Sequence, residues 1–290
     1  MKKRKILTSP FAIVFFIILI LYTITLIVPF VWTFLTSLKG RLEYISSPFD
    51  LPKDWRFKNY LDVFNALSVT IQGQRQAYLP ELLLNGFLYA FISSIVIIFT
   101  NCVVGYVVAK YKCTVGKIIY SLVIINMILP VVGTLPSELQ LMRTLGFYDN
   151  MIGIYLMKIS FGGTNFLIFY AMFKSISWSY AEAAFVDGAS NMKVFTRIMF
   201  PMALPTFFAL VLLQFITYWN DWQASLIYFP SHPTAAYALY TFQFPGAGNK
   251  TTGVPYIMAA CILVALPIII IFLLFKKKIV GTATLGGLKG

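Results

Sequence analysis

Glu182-Ala183-Ala184-Phe185-Val186-Asp187-Gly188-Ala189-Ser190 is a short polar stretch between two long apolar runs, about 151–173 before it and about 201–229 after it. Runs of that length cross a bilayer, so the stretch between them lies outside it. Its own pattern predicts two helical pieces. Ser179 stands three residues before Glu182, the spacing of a capping box, so a helix is expected to start there. Gly188 is placed to end it in left-handed backbone. Ser190 can cap a second short helix through 195–200, and Pro201 then opens the next run. Ala183, Val186, Val194, Phe195 and Ile198 form the expected apolar face. Two uses stay open on this reading: an amphipathic interfacial linker, or a small-faced joint for a soluble partner.

Working outward, the same alternation continues. The 290 residues are 59% hydrophobic and 11% charged, well outside the soluble globular range. Six spans are expected, at about 11–38, 82–109, 118–141, 151–173, 201–229 and 254–275. The expectation is therefore an all-α integral membrane protein, one transmembrane domain over 1–290, with an extramembrane loop at 174–200 and a tail at 276–290. Pro130 and Pro136 are expected to kink the third span. The opening run resembles a signal peptide but is too long and lacks a small-residue cleavage site. The polar segment 39–79 reads as a partly ordered loop.

The formal net charge of +13 sits at the ends of the runs, as topology signals do, and no basic stripe interleaves with aromatics as a nucleic-acid surface requires. With both termini inside, the inner segments carry Lys2, Lys3, Arg4, Lys5, Lys110, Lys112, Lys117, Lys174, Lys193, Arg197, Lys276–Lys278 and Lys289 against only Glu182 and Asp187. The basic residues of the outer segments are nearly balanced by acids. That places 174–200 in the cytoplasm. Cys102, Cys113 and Cys261 have no metal or redox spacing, and the one histidine, His232, reads as a surface residue in a Pro-flanked loop. No metal site is expected.

Glu182-Ala183-Ala184, then Gly188, Ile198, Phe200 and Pro201 at their spacing, resemble the signature loop of the membrane subunits of binding-protein-dependent ABC importers. Asp187-Gly188-Ala189-Ser190 is similar to the form in carbohydrate permeases of the maltose type. Asn59-Tyr60, Asn85, Pro130, Pro136, Leu145-Gly146 and the ending Gly286-Gly287-Leu288-Lys289-Gly290 fall in family-like positions. Phe200 stands where that family usually has Leu, and Ser177 where it often has Pro. The resemblance implies that Glu182, Ala183, Ala184, Asp187, Gly188, Ile198 and Pro201 dock on a cytoplasmic ATPase. It implies that Gly286, Gly287, Lys289 and Gly290 reach the same ATPase pair. It also implies a homologous second permease subunit, two ATPase subunits that bind ATP and Mg, an extracellular solute-binding protein, and a prokaryotic plasma membrane. This chain would hold no cofactor and hydrolyse nothing: it has no phosphate-cradling Gly-Lys-Ser/Thr loop.

Polar groups inside spans are costly, and so are candidates for a substrate path. Trp219, Asn220, Asp221 and Trp222 combine aromatic faces with hydrogen-bonding groups, as sugar sites do, and Asn165 lies in the fourth span. Their alternative is interfacial anchoring for the tryptophans and helix–helix bonding for the amides. Lys158 can pair with Asp221 or snorkel. Two rivals remain: a permease for a non-sugar solute, and a polytopic membrane enzyme. The second needs clustered acids or a nucleophile at one interface, and this chain scatters them.

Overall fold

The computed structural model describes residues 10–71, 73, 75–111, 113–129, 133–244, 251 and 253–285. The chain is mostly helical. Backbone contacts divide it into two units, one formed by the residues up to Leu67 with Leu239–Leu266, the other by Ser68–Ala238 with the residues from Pro267 onward.

The first unit contains α1 (Pro10–Ser37), α2 (Arg41–Ser46) and α3 (Lys58–Ala66). In α1 only Thr36 and Ser37 are buried. Its apolar surface points outward all round, as a helix solvated by lipid requires. Thr23 and Thr25 return their hydroxyls to the Leu19 and Tyr22 carbonyls, so neither offers lipid a bare donor. The segment after α1 is folded, where a partly ordered loop was expected. Asn59 Nδ2 donates to the carbonyls of Ser37 at 2.7 Å and Lys39 at 2.9 Å, binding the end of α1 to α3. The ammonium of Lys39, which is 1% exposed, donates to the Ser47 and Pro48 carbonyls. The Glu43 carboxylate accepts from the Lys53 N–H, which chiefly holds its pKa below the usual value.

The second unit opens with an antiparallel hairpin, β1 (Ser68–Ile71) and β2 (Arg75–Tyr78), with Val69 opposite Ala77. It leads into α4 (Leu79–Lys110), long enough to cross a bilayer at ~1.5 Å per residue. Next come α5 (Thr114–Ile128), α6 (Leu135–Thr144), α7 (Met151–Met157), α8 (Gly163–Ser175) and α9 (Ser179–Val186). α10 (Asn191–Val194) runs through a π-helical turn, Phe195–Met199, into α11 (Phe200–Trp219). α12 (Trp222–Tyr228) follows. α13 (Ala235–Phe242) and α14 (Val254–Leu285) contribute to both units. The core of the second unit is α4 packed on α8 and α11. Gly105 makes the close approach possible: a Cβ there would lie 2.8 Å from Phe169 Cβ and 3.2 Å from the Tyr170 nitrogen.

Among the described residues, four helical stretches are long and apolar enough to span: Pro10–Ser37, Leu79–Lys110, Asn191–Trp219 and Val254–Leu274. The other expected spans are not single helices. The third is broken between Ile128 and Leu135, and Pro136 stands in the first turn of α6, where its missing N–H costs nothing, instead of kinking a continuous helix. Pro130 lies outside the described residues. The fourth breaks between Met157 and Gly163, where Gly162 has φ +146° and Gly163 φ +62°, backbone that other residues rarely adopt. The fifth begins at Asn191, well before Pro201, and stops at Trp219. His232 is half-buried, not a surface residue, and its Nδ1 has no hydrogen-bond partner among the described residues.

Candidate functional site

The 174–200 segment is an elbow whose two arms differ in length. Its first arm is α9. The expected capping box is absent: α9 begins with Ser179 already helical, and Ser177 takes the capping part, its Oγ accepting from the Ser179 N–H at 3.3 Å and lying 2.7 Å from Ser179 Oγ. The Glu182 carboxylate is thus released from the backbone. It makes no hydrogen bond or ion pair among the described residues.

The turn follows the glycine rule closely. The Ala189 N–H donates to the Ala184 carbonyl at 2.9 Å and the Gly188 N–H to the Phe185 carbonyl at 3.0 Å, the paired bonds of a Schellman motif. Gly188 has φ +76°, as that motif requires. Ser190 Oγ then accepts from the Lys193 N–H at 3.3 Å and caps α10, as its position predicts. The second arm does not stop at Pro201 but continues as one helix through the π turn to Trp219.

Which face is covered differs from expectation. Ala181, Val194, Phe195 and Met199 are buried, Ala184 and Ile198 are half-buried, and Ala183, Asp187, Gly188 and Pro201 are exposed. Val186 is 87% exposed. The expected apolar face is therefore split. Its α10–π half packs inward, while Ala183 and Val186 point out beside Glu182 and Asp187. The helical period alone cannot tell which stripe meets the protein, because α9 is small and weakly amphipathic on every side.

Behind the elbow stands an aromatic chain. Trp178 meets Phe185 at 6.0 Å and Tyr111 at 5.8 Å, Tyr111 meets Tyr106 at 5.8 Å, and Tyr106 meets Phe195 at 4.9 Å. Tyr111 Oη also donates to Asn191 Oδ1 at 3.0 Å, and Lys110 Nζ donates to the Ile176 carbonyl. The ends of α4 and α8 are thereby fastened to both arms. These contacts join α9 to the end of α4 and to the helix that continues into α11. Trp178, Tyr111 and Tyr106 are packing residues behind the elbow that sequence reasoning missed. Their aromatic character next to basic run ends was the only signal.

The residues expected along a substrate path do not form one group. Trp219 is buried, with its ring stacked on Phe215 at 5.8 Å, so it offers no open face. Asn220 is exposed and its Nδ2 donates to the Ile216 carbonyl at 2.8 Å. Asp221 caps α12 through the Ala224 N–H at 3.0 Å, and its other oxygen accepts from Tyr89 Oη at 3.2 Å. Trp222 is half-buried beyond the break. Asn165 Nδ2 donates to Gln214 Oε1 at 3.3 Å, joining α8 to α11. Lys158 makes no ion pair with Asp221: its Nζ lies 4.9 Å from the centre of the Tyr218 ring.

Asn101, on α4, serves the break in the fourth run. Its Nδ2 donates to the Ile97 carbonyl at 2.7 Å and the Ser160 carbonyl at 3.3 Å, while its Oδ1 accepts from the Gly162 N–H at 2.9 Å. One buried amide thus satisfies unwound backbone on both sides, the condition for broken helices at membrane depth. The tail residues Gly286, Gly287, Lys289 and Gly290 lie outside the described residues, as do Pro245, Gly246 and Gly248 of the last loop. Among the described residues no His, Cys, Asp and Glu group could hold a metal ion.

Comparison with known proteins places this geometry. A family model described as the inner membrane component of binding-protein-dependent transport systems matches residues 82–280. A diacetylchitobiose uptake system permease protein of Streptomyces coelicolor is 26% identical over 95% of this chain and 88% of its own length. A trehalose transport system permease protein of Mycobacterium tuberculosis is 25% identical, covering 91% of this chain and 93% of its own. A trehalose/maltose transport system permease protein of Thermococcus litoralis is 24% identical, covering 93% and 94%. In structure, the chain is similar to a chain of a bacterial ABC transporter involved in import of the acidic polysaccharide alginate, with a TM-score of 0.71 over 92% of this chain and 95% of that one, at 21% identity.

Proposed function

The chain belongs to the family of binding-protein-dependent transport system inner membrane components, and from that premise we propose that it is the permease subunit of an ABC importer for a sugar or oligosaccharide, with the elbow as its ATPase-docking joint. The observation that carries the joint is the outward face of α9: Glu182, Ala183, Val186 and Asp187 are exposed together on a helix whose other side is locked to the aromatic chain. The uptake systems named among its relatives, for diacetylchitobiose, trehalose and maltose, support a sugar as the solute.

In this reading six passages cross the membrane with both termini inside. Four are the long helices, and the remaining two are the broken pairs α5–α6 and α7–α8. ATP and Mg are bound by two partner ATPase subunits, and closure of those subunits tilts α9. The tilt passes through Trp178, Tyr111 and Tyr106 to α4 and through the continuous 191–219 helix to α11. A homologous permease completes the path, a solute-binding protein delivers the sugar from outside, and Gly286, Gly287, Lys289 and Gly290 contact the ATPase pair. The break between α7 and α8, held by the Asn101 amide, suits a path that must change shape. Asn165, Asn220, Asp221 and Trp222 are the path candidates, with Trp219 supporting them from the core.

The test uses Val186→Cys in a Cys113→Ser background, co-expressed with the partner ATPase carrying single cysteines in the face that meets it. Disulfide cross-links to the ATPase are expected, together with uptake of labelled oligosaccharide that unlabelled oligosaccharides compete away. Cross-linking to no ATPase position would remove the joint. Uptake competed only by non-sugar solutes would remove the substrate class.

A further inference from the structure

Next to the elbow, three hollows between the carboxyl end of α4, the first turns of α5 and the carboxyl end of α8 meet at Lys174. The central one has a volume of about 610 Å³. Lys110, Lys117 and Lys174 line the set, with walls from Tyr111, Tyr120 and Tyr170, and among the described residues no acidic one lines any of the three. Lys110 is committed to the Ile176 carbonyl. The other two differ: Lys174 Nζ stands 5.5 Å from the Tyr170 ring centre, and the Lys117 ammonium has no partner among the described residues. The Tyr120 and Tyr170 rings meet at 4.7 Å, tilted by 43°, and fix the wall between them.

Below the hollow, α5 carries an outward apolar stripe at helical spacing: Ile118 is 52% exposed, Leu122 57% and Ile125 50%. We propose that this place binds an anionic phospholipid of the cytoplasmic leaflet, its phosphate between Lys117 and Lys174 and an acyl chain along Ile118, Leu122 and Ile125. Lysines at run ends alone serve topology. The concavity, the absent counter-charge and the adjoining stripe together fit a charged head with a tail. Basic pockets between membrane helices on the cytoplasmic side bind such head groups. A free phosphate shares the charge chemistry but has no use for the stripe. The choice of leaflet rests on the topology proposed above.

The site is tested on the full chain purified in detergent, by native mass spectrometry with phosphatidylglycerol and phosphatidylcholine as probes. One phosphatidylglycerol per chain is expected to be retained in preference to phosphatidylcholine. Lys117→Gln with Lys174→Gln should weaken retention on the order of tenfold or more, while Lys117→Arg with Lys174→Arg keeps it. Ser121→Trp, which fills the hollow and leaves the charges, should also weaken it, so the test survives if the Gln pair does not fold. Equal retention of the two lipids, or retention unchanged by both the Gln pair and Ser121→Trp, overturns the site. Displacement of phosphatidylglycerol by an equal concentration of inorganic phosphate overturns the lipid assignment. Cys113 lines the hollow and is exposed, so labelling by a membrane-impermeant maleimide reports its leaflet separately. Retention with labelling only from outside would contradict the topology and leave the site standing. Retention requires neither ATPase nor sugar, so it is independent of the transport reading.

Discussion

Two residues bear loads that their types alone do not announce. Gly188 occupies φ +76°, and a Cβ there would meet nothing within 4 Å. Gly188→Ala therefore adds backbone strain of about 1–2 kcal/mol without a clash. The chain is expected to remain in the membrane with a small fall in Tm, and a collapse in membrane abundance would show that the position is crowded after all. Asn101 is the opposite case. Asn101→Leu leaves the Gly162 N–H and the Ser160 carbonyl without their side-chain partner in a buried setting, a loss of about 1–3 kcal/mol for each group left unsatisfied. Thermal unfolding in detergent should show a lower Tm than the wild type, and an unchanged Tm would mean that the break satisfies itself. Gly188 was legible in the sequence, because a helix ending on Asp-Gly has few alternatives. Asn101 was not, because a lone amide in an apolar run has several possible partners and its own run does not reveal which helix breaks beside it.

At the scale of elements, the long helices were readable from run length alone: α1 and α4 begin and end within a few residues of the apolar limits. The breaks were harder to see. Run 118–141 stays apolar up to Gly133, and Lys158, Ser160, Thr164 and Asn165 at the break of run 151–173 are too few to end it, so periodicity does not reveal where the backbone unwinds. Pro130, Pro136, Gly162 and Gly163 marked the places, but a kink and a break share those residues. The inward face of α9 was assigned wrongly for a related reason: its neighbours, Trp178 and the end of α4, are set by tertiary packing. Packing also makes a sharp prediction for α4 and α8. Gly105→Leu places a side chain against Phe169 and the Tyr170 backbone, where backbone cannot yield as a flexible side chain can. Overpacking of this kind costs about 1–3 kcal/mol, and the variant should lose Tm and membrane abundance. Gly105→Leu with wild-type stability would mean that the two helices are free to separate.

For the molecule as a whole, the family was legible because spacing, topology and charge distribution agree over most of the chain. The substrate path was not, because it depends on which polar groups converge in space. Trp219 turned into the core and Asp221 into a helix cap, and neither follows from being polar or aromatic near the end of an apolar run. The central claim is that force enters at α9 and leaves through α4 and α11. Its most direct measurement is ATPase activity and oligosaccharide uptake, side by side, in a complex reconstituted with Glu182→Ala. Uptake is expected to fall on the order of tenfold or more, the effect of deleting a central interface contact, while the chain remains assembled in the membrane and its partners still hydrolyse ATP without stimulation by loaded binding protein. Uptake and stimulation both equal to wild type would contradict the claim.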